Sequence, residues 1–199
     1  MVSDSGDLDA ALARARQGDE IAFLQLWRSL QPGLLRYLRV LGCGDPDDTA
    51  SETWLQVVRD LPRFSGGEAD FRGWVFTIGR HRAVDAARSR SRRPATPMSA
   101  GMDALADESH VEDEVLDGMS TQNAIALLAR LSKDQAEAVA LRVLAGLDTA
   151  HVARILGKST GSVRVALHRG LKALAADPAV RSLADRGPAG IRMPGEVDW

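Results

Sequence analysis

An all-α fold is what this sequence predicts, and three observations carry the expectation. Alanine, leucine and arginine dominate, while aromatics make up only 5% of the 199 residues, a balance that favours helices over strands. Apolar side chains recur at three- and four-residue spacing, the period of an amphipathic helix. β-Branched runs are scarce. The length of 199 residues suits one ordinary domain or two small ones, and the 45% hydrophobic content is what a globular core requires.

Each element follows from local signals. Residues 8 to 17 form the first expected helix, with Leu8, Leu12 and Ala15 on one face. Gly18-Asp19 ends it and caps the next, over 20 to 41. There Ile21, Leu24, Trp27 and Leu30 make one apolar face and Leu34, Leu38 and Leu41 another, and Pro32 predicts a kink or break. "GCGDPDD", residues 42 to 48, is a turn in which Asp45 can cap and Pro46 suits the first turn of a helix over 46 to 60. "LPRFSGGEADF", residues 61 to 71, reads as a loop. A helix starting near Phe71 is apolar nearly all round at Phe71, Trp74, Val75, Phe76 and Ile78, which predicts burial. Its second half carries Arg80, Arg82, Arg88, Arg90, Arg92 and Arg93, and Pro94 and Pro97 end it. Further on, helices are expected over 120 to 131 and 134 to 145, with Ser132 and Asp134 near the start of the second.

A net charge of −2 conceals a segregation. Residues 1 to 97 sum to +1, residues 98 to 119 hold seven acids and no base, and residues 120 to 178 sum to +4. The expected organisation is two small helical domains, 1–97 and 120–177, joined by a flexible acidic linker, 98–119, with a flexible tail over 178–199. Cys43 is the only cysteine, so no internal disulfide can form, which suits a reducing compartment and makes the cytoplasm the default. The N-terminus is polar and acidic, and no apolar run approaches the roughly 18 residues of a spanning helix. A soluble chain without membrane insertion is expected.

The strongest local motif is "LDTAHVARILGKSTGSVRVALHRGLKAL", residues 147 to 174. Asp148 caps a short helix whose Val152, Ile155 and Leu156 face inward, Ala153 leaves room for a crossing helix, and Gly157 permits a left-handed turn. Ser159 or Thr160 caps a longer helix with Val163, Leu167 and Leu171 or Leu174 inside. This is the helix-turn-helix pattern, whose second helix enters the major groove. Its outward set, Ser159, Thr160, Gly161, Ser162, Arg164, Val165, His168, Arg169 and Lys172, is hydroxyl-rich and basic, as phosphate and base-edge contacts require. The arginine-ended helix is a second candidate surface. Cations at a helix C-terminus complement its dipole by about 0.3 to 1 kcal/mol, but a dipole does not call for six arginines.

With these motifs in order, residues 7 to 175 resemble an extracytoplasmic-function (ECF, group IV) RNA polymerase sigma factor of the sigma-70 superfamily. "ARARQGDEIAFLQLW" resembles the family's opening helices, "DPDDTASETWLQVVRDLPRF" its region 2.2, "FRGWVFTIGRHRAVDAARSRSRR" its regions 2.3 and 2.4, and the stretch from Leu127 to Leu174 its region 4. The resemblance implies a protein that binds core polymerase and directs promoter-specific initiation. It places Asp48, Glu52, Trp54, Leu55 and Val58 on the β′ clamp helices, and implies a contact with the β flap. It gives Ser65 to Asp70 with Arg72, Arg80, His81 and Arg82 to the opened −10 strand, and Arg88, Arg90, Arg92 and Arg93 to duplex phosphates upstream. Region 4 would hold the −35 duplex through Ser159 to Lys172. Trp74 reads as core rather than as a stacking platform. An anti-sigma factor is the implied inhibitor. The sequence departs from the family at Ser51, where Gln is common, at His81, where Asn is common, at His151-Val152 for Glu-Ile, and at Val165-Ala166 for Ser-Arg.

Other classes of protein fit these residues less well. A metal enzyme is opposed by spacing, because His81, His110, His151 and His168 are scattered and Cys43 stands alone. No cofactor, metal site or catalytic residue is expected. A self-sufficient helix-turn-helix regulator would hold duplex operator alone, but leaves the acids of 47 to 52 and the arginine strip unexplained.

Overall fold

The computed structural model describes residues 5–92 and 122–185, and within them every regular element is helical. The acidic stretch 98–119, Arg93 and the chain beyond 185 lie outside the described residues. Helix α1 (Ser5–Ala15) leads through a turn at Gly18 to α2 (Glu20–Val40). There the Asp19 carboxylate accepts the backbone N–H groups of Ile21 and Ala22, each at 3.0 Å, satisfying donors that a helix start leaves unpaired.

Of the kink or break expected at Pro32 in α2, the break does not occur: the helix continues to Val40. A proline inside a helix costs about 3 kcal/mol, and here Leu26, Leu30, Leu34, Tyr37 and Leu38 are all buried on either side of it, so packing outweighs that cost. The inner stripe is Ala22, Leu26, Leu30, Leu34 and Leu38, every fourth residue, together with Tyr37. Ile21 and Leu24, expected on an inner face, are instead 74% and 40% exposed.

Helix α3 (Pro46–Asp60) starts as predicted, with Pro46 in the first turn and the Asp45 carboxylate accepting the N–H of Asp48 at 2.9 Å. A 3₁₀ turn (Leu61–Arg63) leads on to α4 (Glu68–Arg92). That helix begins three residues before Phe71, because the N–H of Glu68 donates to the Asp9 carboxylate of α1 at 2.6 Å. A cap supplied across 59 residues leaves no local trace in the sequence. Phe71, Val75, Phe76 and Ile78 are buried, as the all-round apolar pattern required.

The C-terminal module comprises α5 (122–128), α6 (Lys133–Val143), α7 (Thr149–Leu156) and α8 (Thr160–Ala176), with α9 (Pro178–Asp185) packed on α8. Ser132 and Gln135 form a capping box at the start of α6. Helix α9 overturns the expectation of an unfolded tail for its eight residues. Asp177 organises it, accepting the Ala179 N–H at 2.9 Å and the Arg130 guanidinium at 2.6 Å.

The modules are not merely tethered. Helix α2 packs on α6 and α4 on α7, so that one contiguous apolar core runs through both. Gly33 marks how close they come, since a Cβ added there would lie 2.6 Å from the backbone oxygen of Leu144.

Candidate nucleic-acid and docking surfaces

Helices α7 and α8 build the helix-turn-helix from the predicted parts. The Asp148 carboxylate accepts the N–H of His151 at 2.8 Å, Gly157 takes φ 63° at the end of α7, and the Ser159 hydroxyl accepts the N–H of Ser162 at 3.1 Å. Val152, Ala153, Ile155, Val163 and Leu167 are buried. Of the two alternatives for the last inner position, Leu174 packs on the core and Leu171 is 48% exposed. Gly170 is also buried, against Val139 of α6. Ser159, Thr160, Gly161, Ser162, Arg164, Val165, His168, Arg169 and Lys172 are all exposed, on the outer side of α8 and its N-cap. The module therefore presents four cationic or imidazole side chains and three hydroxyls on one accessible helix.

The cap also gives a pH dependence. The hydrogen bond from the His151 N–H, then that from its ring, hold the Asp148 carboxyl below the ordinary carboxylate range. A depressed folded-state pKa contributes stability above the unfolded value of about 3.9 and loses it as pH falls through the folded value. Asp148→Ala should cost about 1 kcal/mol, read as a fall in melting temperature at pH 7. That difference should shrink below about pH 3.9, while Asp148→Asn, which keeps the cap, should lose little at pH 7.

Helix α4 places its predicted residues unevenly. His81 and Arg88 are exposed, Arg88 beside Asp85 at 3.4 Å. Arg82 is half-buried and donates to Glu52 at 3.0 Å and Gln56 at 3.1 Å, tying α4 to α3. Arg90 and Arg92 lie on the last turn of α4, beyond the described side chains. The expected strand-reading loop is shorter than 65 to 70, since α4 takes in Glu68 to Asp70. Phe64 stacks on Trp74 with centroids 4.9 Å apart, and both line a cleft of about 450 Å³ with Ser65, Asp70, His151 and Arg154. Trp74 thus stands half-buried at the edge of the core.

Arg72 and Arg80 face the other module. Arg72 pairs with Glu68 and donates to the backbone oxygen of Ala145 at 3.2 Å. Arg80 Nε donates to Glu137 Oε1 at 2.7 Å, and the Tyr37 hydroxyl donates to the same oxygen at 3.3 Å. Glu137 is only 4% exposed. Burial, then the charge of Glu137, pushes the Tyr37 phenol well up. Burial pulls Arg80 down, but the hydrogen bond and charge of Glu137 leave it above its ordinary value. Asp70, held below the usual carboxylate range by Arg154 and His151, lies 3.2 Å from each. Sequence reasoning missed Glu137 and Tyr37. The readable signal was an acid amid the apolar run of Ala136, Ala138, Val139 and Leu141.

On α3, Leu55 and Val58 are 72% and 52% exposed, an apolar pair that the fold leaves uncovered, with Glu52 exposed one turn before Leu55 and Asp48 two turns before it. Trp54 differs from the expectation. It is 6% exposed, its indole N–H donates to Gln31 at 2.6 Å, and its ring meets Phe23 edge-on at 5.8 Å. The i−1 position turns it inward, where it supports Leu55 and Val58 rather than joining them on the surface.

An all-α chain that pairs an arginine-bearing helix bundle with a helix-turn-helix is a DNA-binding transcription protein by architecture. Residues 22–93 match the family model described as Sigma-70 region 2, and residues 121–174 that described as Sigma-70, region 4. Among curated proteins the chain is 33% identical to the ECF RNA polymerase sigma factor BldN of Streptomyces coelicolor, over 87% of this chain and 66% of that one. It is 31% identical to the ECF sigma factor SigD of Mycobacterium tuberculosis (84% and 82%) and 33% to ShbA of Streptomyces griseus (85% and 94%). The fold is also that of CnrH in its complex with the cytosolic domain of CnrY (22% identity, TM-score 0.59, 93% of this chain and 100% of that one). RpoE of Bartonella quintana, solved with the anti-sigma factor NepR, shares it too (22%, TM-score 0.55, 76% and 93%). The chain belongs to the ECF sigma factors of the sigma-70 family. It is a sigma factor rather than a self-sufficient operator-binding regulator, and no described helix is long and apolar enough to cross a membrane.

Proposed function

We propose that this sigma factor docks on core RNA polymerase through the exposed face of α3 and reads promoters with two separate surfaces. The observation that carries the reading is the fully exposed basic and hydroxyl face of α8, on the same chain as an uncovered apolar pair, Leu55 and Val58. Residues 120–177 form the −35 module, with Arg164, Arg169 and Lys172 on phosphates and base edges. Residues 1–97 form the −10 module, with Arg72, Arg80, His81 and Arg82 toward the opened strand and Arg88 to Arg93 toward upstream phosphates. Capturing an unstacked base costs a few kcal/mol, which these contacts offset. Tethering the two readers raises the effective concentration of the second once the first is bound. The chain works as a regulatory subunit without catalysis of its own, in the cytoplasm, and an anti-sigma factor covering α3 and region 4 restrains it, as NepR's company with RpoE suggests by analogy.

Run-off transcription with core polymerase and a genomic promoter library tests the reading. New start sites with shared −10 and −35 sequences are expected, and a library transcribed no differently with and without the chain would overturn it. A finer readout addresses α8. Lys172→Ala should weaken promoter binding by the holoenzyme about equally across sequences and reduce the salt slope by about 1. Arg164→Ala should cost about 1 to 3 kcal/mol and relax preference at one base pair.

A further inference from the structure

We propose that Val165 reads a thymine of the −35 element by packing on its 5-methyl group in the major groove, an inference that rests on the sigma-factor reading above and deepens it. Val165 is 48% exposed, and among residues 159–169 it is the one exposed apolar side chain larger than alanine. It is the sixth residue of α8, in the N-terminal half of a recognition helix, the part that meets base edges. Gly161, Val165, His168 and Lys172 follow one another at four-, three- and four-residue spacing, which puts them in a single stripe. Val163, Leu167 and Gly170, all buried, occupy the opposite face.

Folding does not account for a valine here. A β-branched side chain is a poorer helix former than alanine and loses rotamer freedom, and one left nearly half exposed regains little of this by burial. Its surroundings suit a small apolar partner. A helical side chain lies over the turn before its own Cα, so the Val165 methyls lean over Gly161, where an added Cβ would meet nothing nearer than the Ser159 Oγ at 3.9 Å. A shallow apolar notch results, edged by Arg164, His168 and Arg169, all exposed.

Two observations favour DNA over a protein as the occupant. Leu171, the other large apolar side chain exposed on α8, stands six residues further on and about 120° round the helix, so the two form no continuous patch of the kind a docked protein covers. The major-groove edges of the bases, by contrast, offer donors, acceptors and one apolar group, the thymine methyl, and the guanidinium groups beside Val165 hold phosphates at the same place. The family commonly has serine at this position, so the contact belongs to this chain rather than to sigma factors at large.

The experiment uses the full chain assembled with core polymerase, on a promoter that it selects in run-off transcription. Each thymine of the −35 element, on either strand, is replaced in turn by deoxyuridine, which pairs as thymine does and lacks only the methyl group. One replacement should weaken holoenzyme binding about fourfold, the contribution of one buried methyl group, and Val165→Ala should show a similar loss on the unaltered promoter. In Val165→Ala that deoxyuridine should cost nothing further, because two groups in contact are not additive. Circular dichroism should find Val165→Ala as stable as the parent. The inference is overturned if no replacement weakens binding, if the loss persists undiminished in Val165→Ala, or if Val165→Ala instead weakens assembly with core polymerase, which would give the side chain to a protein contact. A chain that directs polymerase to no start site overturns the sigma-factor reading and this inference with it, whereas promoters selected with indifference to every methyl group overturn this inference alone.

Discussion

Leu55→Asp should lower affinity for core RNA polymerase about 100-fold, a loss of about 2.8 kcal/mol within the range of interface hot spots, while leaving the melting temperature of the free chain nearly unchanged. Leu55 is 72% exposed on the middle of α3, so the folded monomer gains nothing from its apolar side chain, and surface substitutions away from packed features cost at most about 0.5 kcal/mol. In a complex the account reverses. A leucine at the centre of a docked face is desolvated, and an aspartate in its place would bring a charge out of water with no cation to meet it. Val58→Asp, one turn on and 52% exposed, should act in the same direction and less strongly. Competition against a labelled wild-type chain measures the affinity and circular dichroism the fold. Equal affinity for Leu55→Asp and wild type would remove α3 from the polymerase interface.

What was legible in the sequence was local. Asp19, Asp45 and Asp148 were readable as caps, and Ser159 as one of two candidates with Thr160, because each stands immediately before its helix and bonds within three residues. The outward set of α8 was readable because a helix-turn-helix fixes which face of its second helix points away, and all nine residues are exposed. What failed to show was settled by residues far apart in the chain. The start of α4 at Glu68 depends on Asp9, and the burial of Glu137 depends on Arg80 and Tyr37, 57 and 100 residues away. On α2 the predicted Leu30, Leu34 and Leu38 are buried, but Ile21 and Leu24 are not, because apolar residues sit on both sides of the helix there, Ile21 and Leu24 as well as Ala22 and Leu26. Periodicity alone does not choose between two apolar faces. Arg72 and Arg80 are the instructive case. Their charge was visible, yet Arg72 pairs with Glu68 and the Ala145 carbonyl, and Arg80 with Glu137, all within the same protein.

Trp54 separates a residue that supports a surface from one that touches a partner. Trp54→Ala should destabilise the N-terminal module by about 3 to 5 kcal/mol, the usual result of truncating a buried aromatic, and that is much of the 5 to 15 kcal/mol a domain possesses. The loss removes the edge-on contact with Phe23 and leaves Gln31 without its donor, so polymerase binding should fail along with the fold and decide nothing by itself. Trp54→Phe decides it. Phenylalanine keeps most of the ring packing between α2 and α3 and gives up the indole N–H, which should cost about 1 kcal/mol of stability. Because only 6% of Trp54 is exposed, polymerase affinity should stay within about twofold of wild type, as for a residue away from the contact face. Chemical denaturation and the same competition assay give the two numbers. A large affinity loss in Trp54→Phe with the unfolding curve unmoved would mean that α3 rotates or opens on docking and delivers the indole to polymerase, restoring Trp54 to the contact set that the resemblance assigned it.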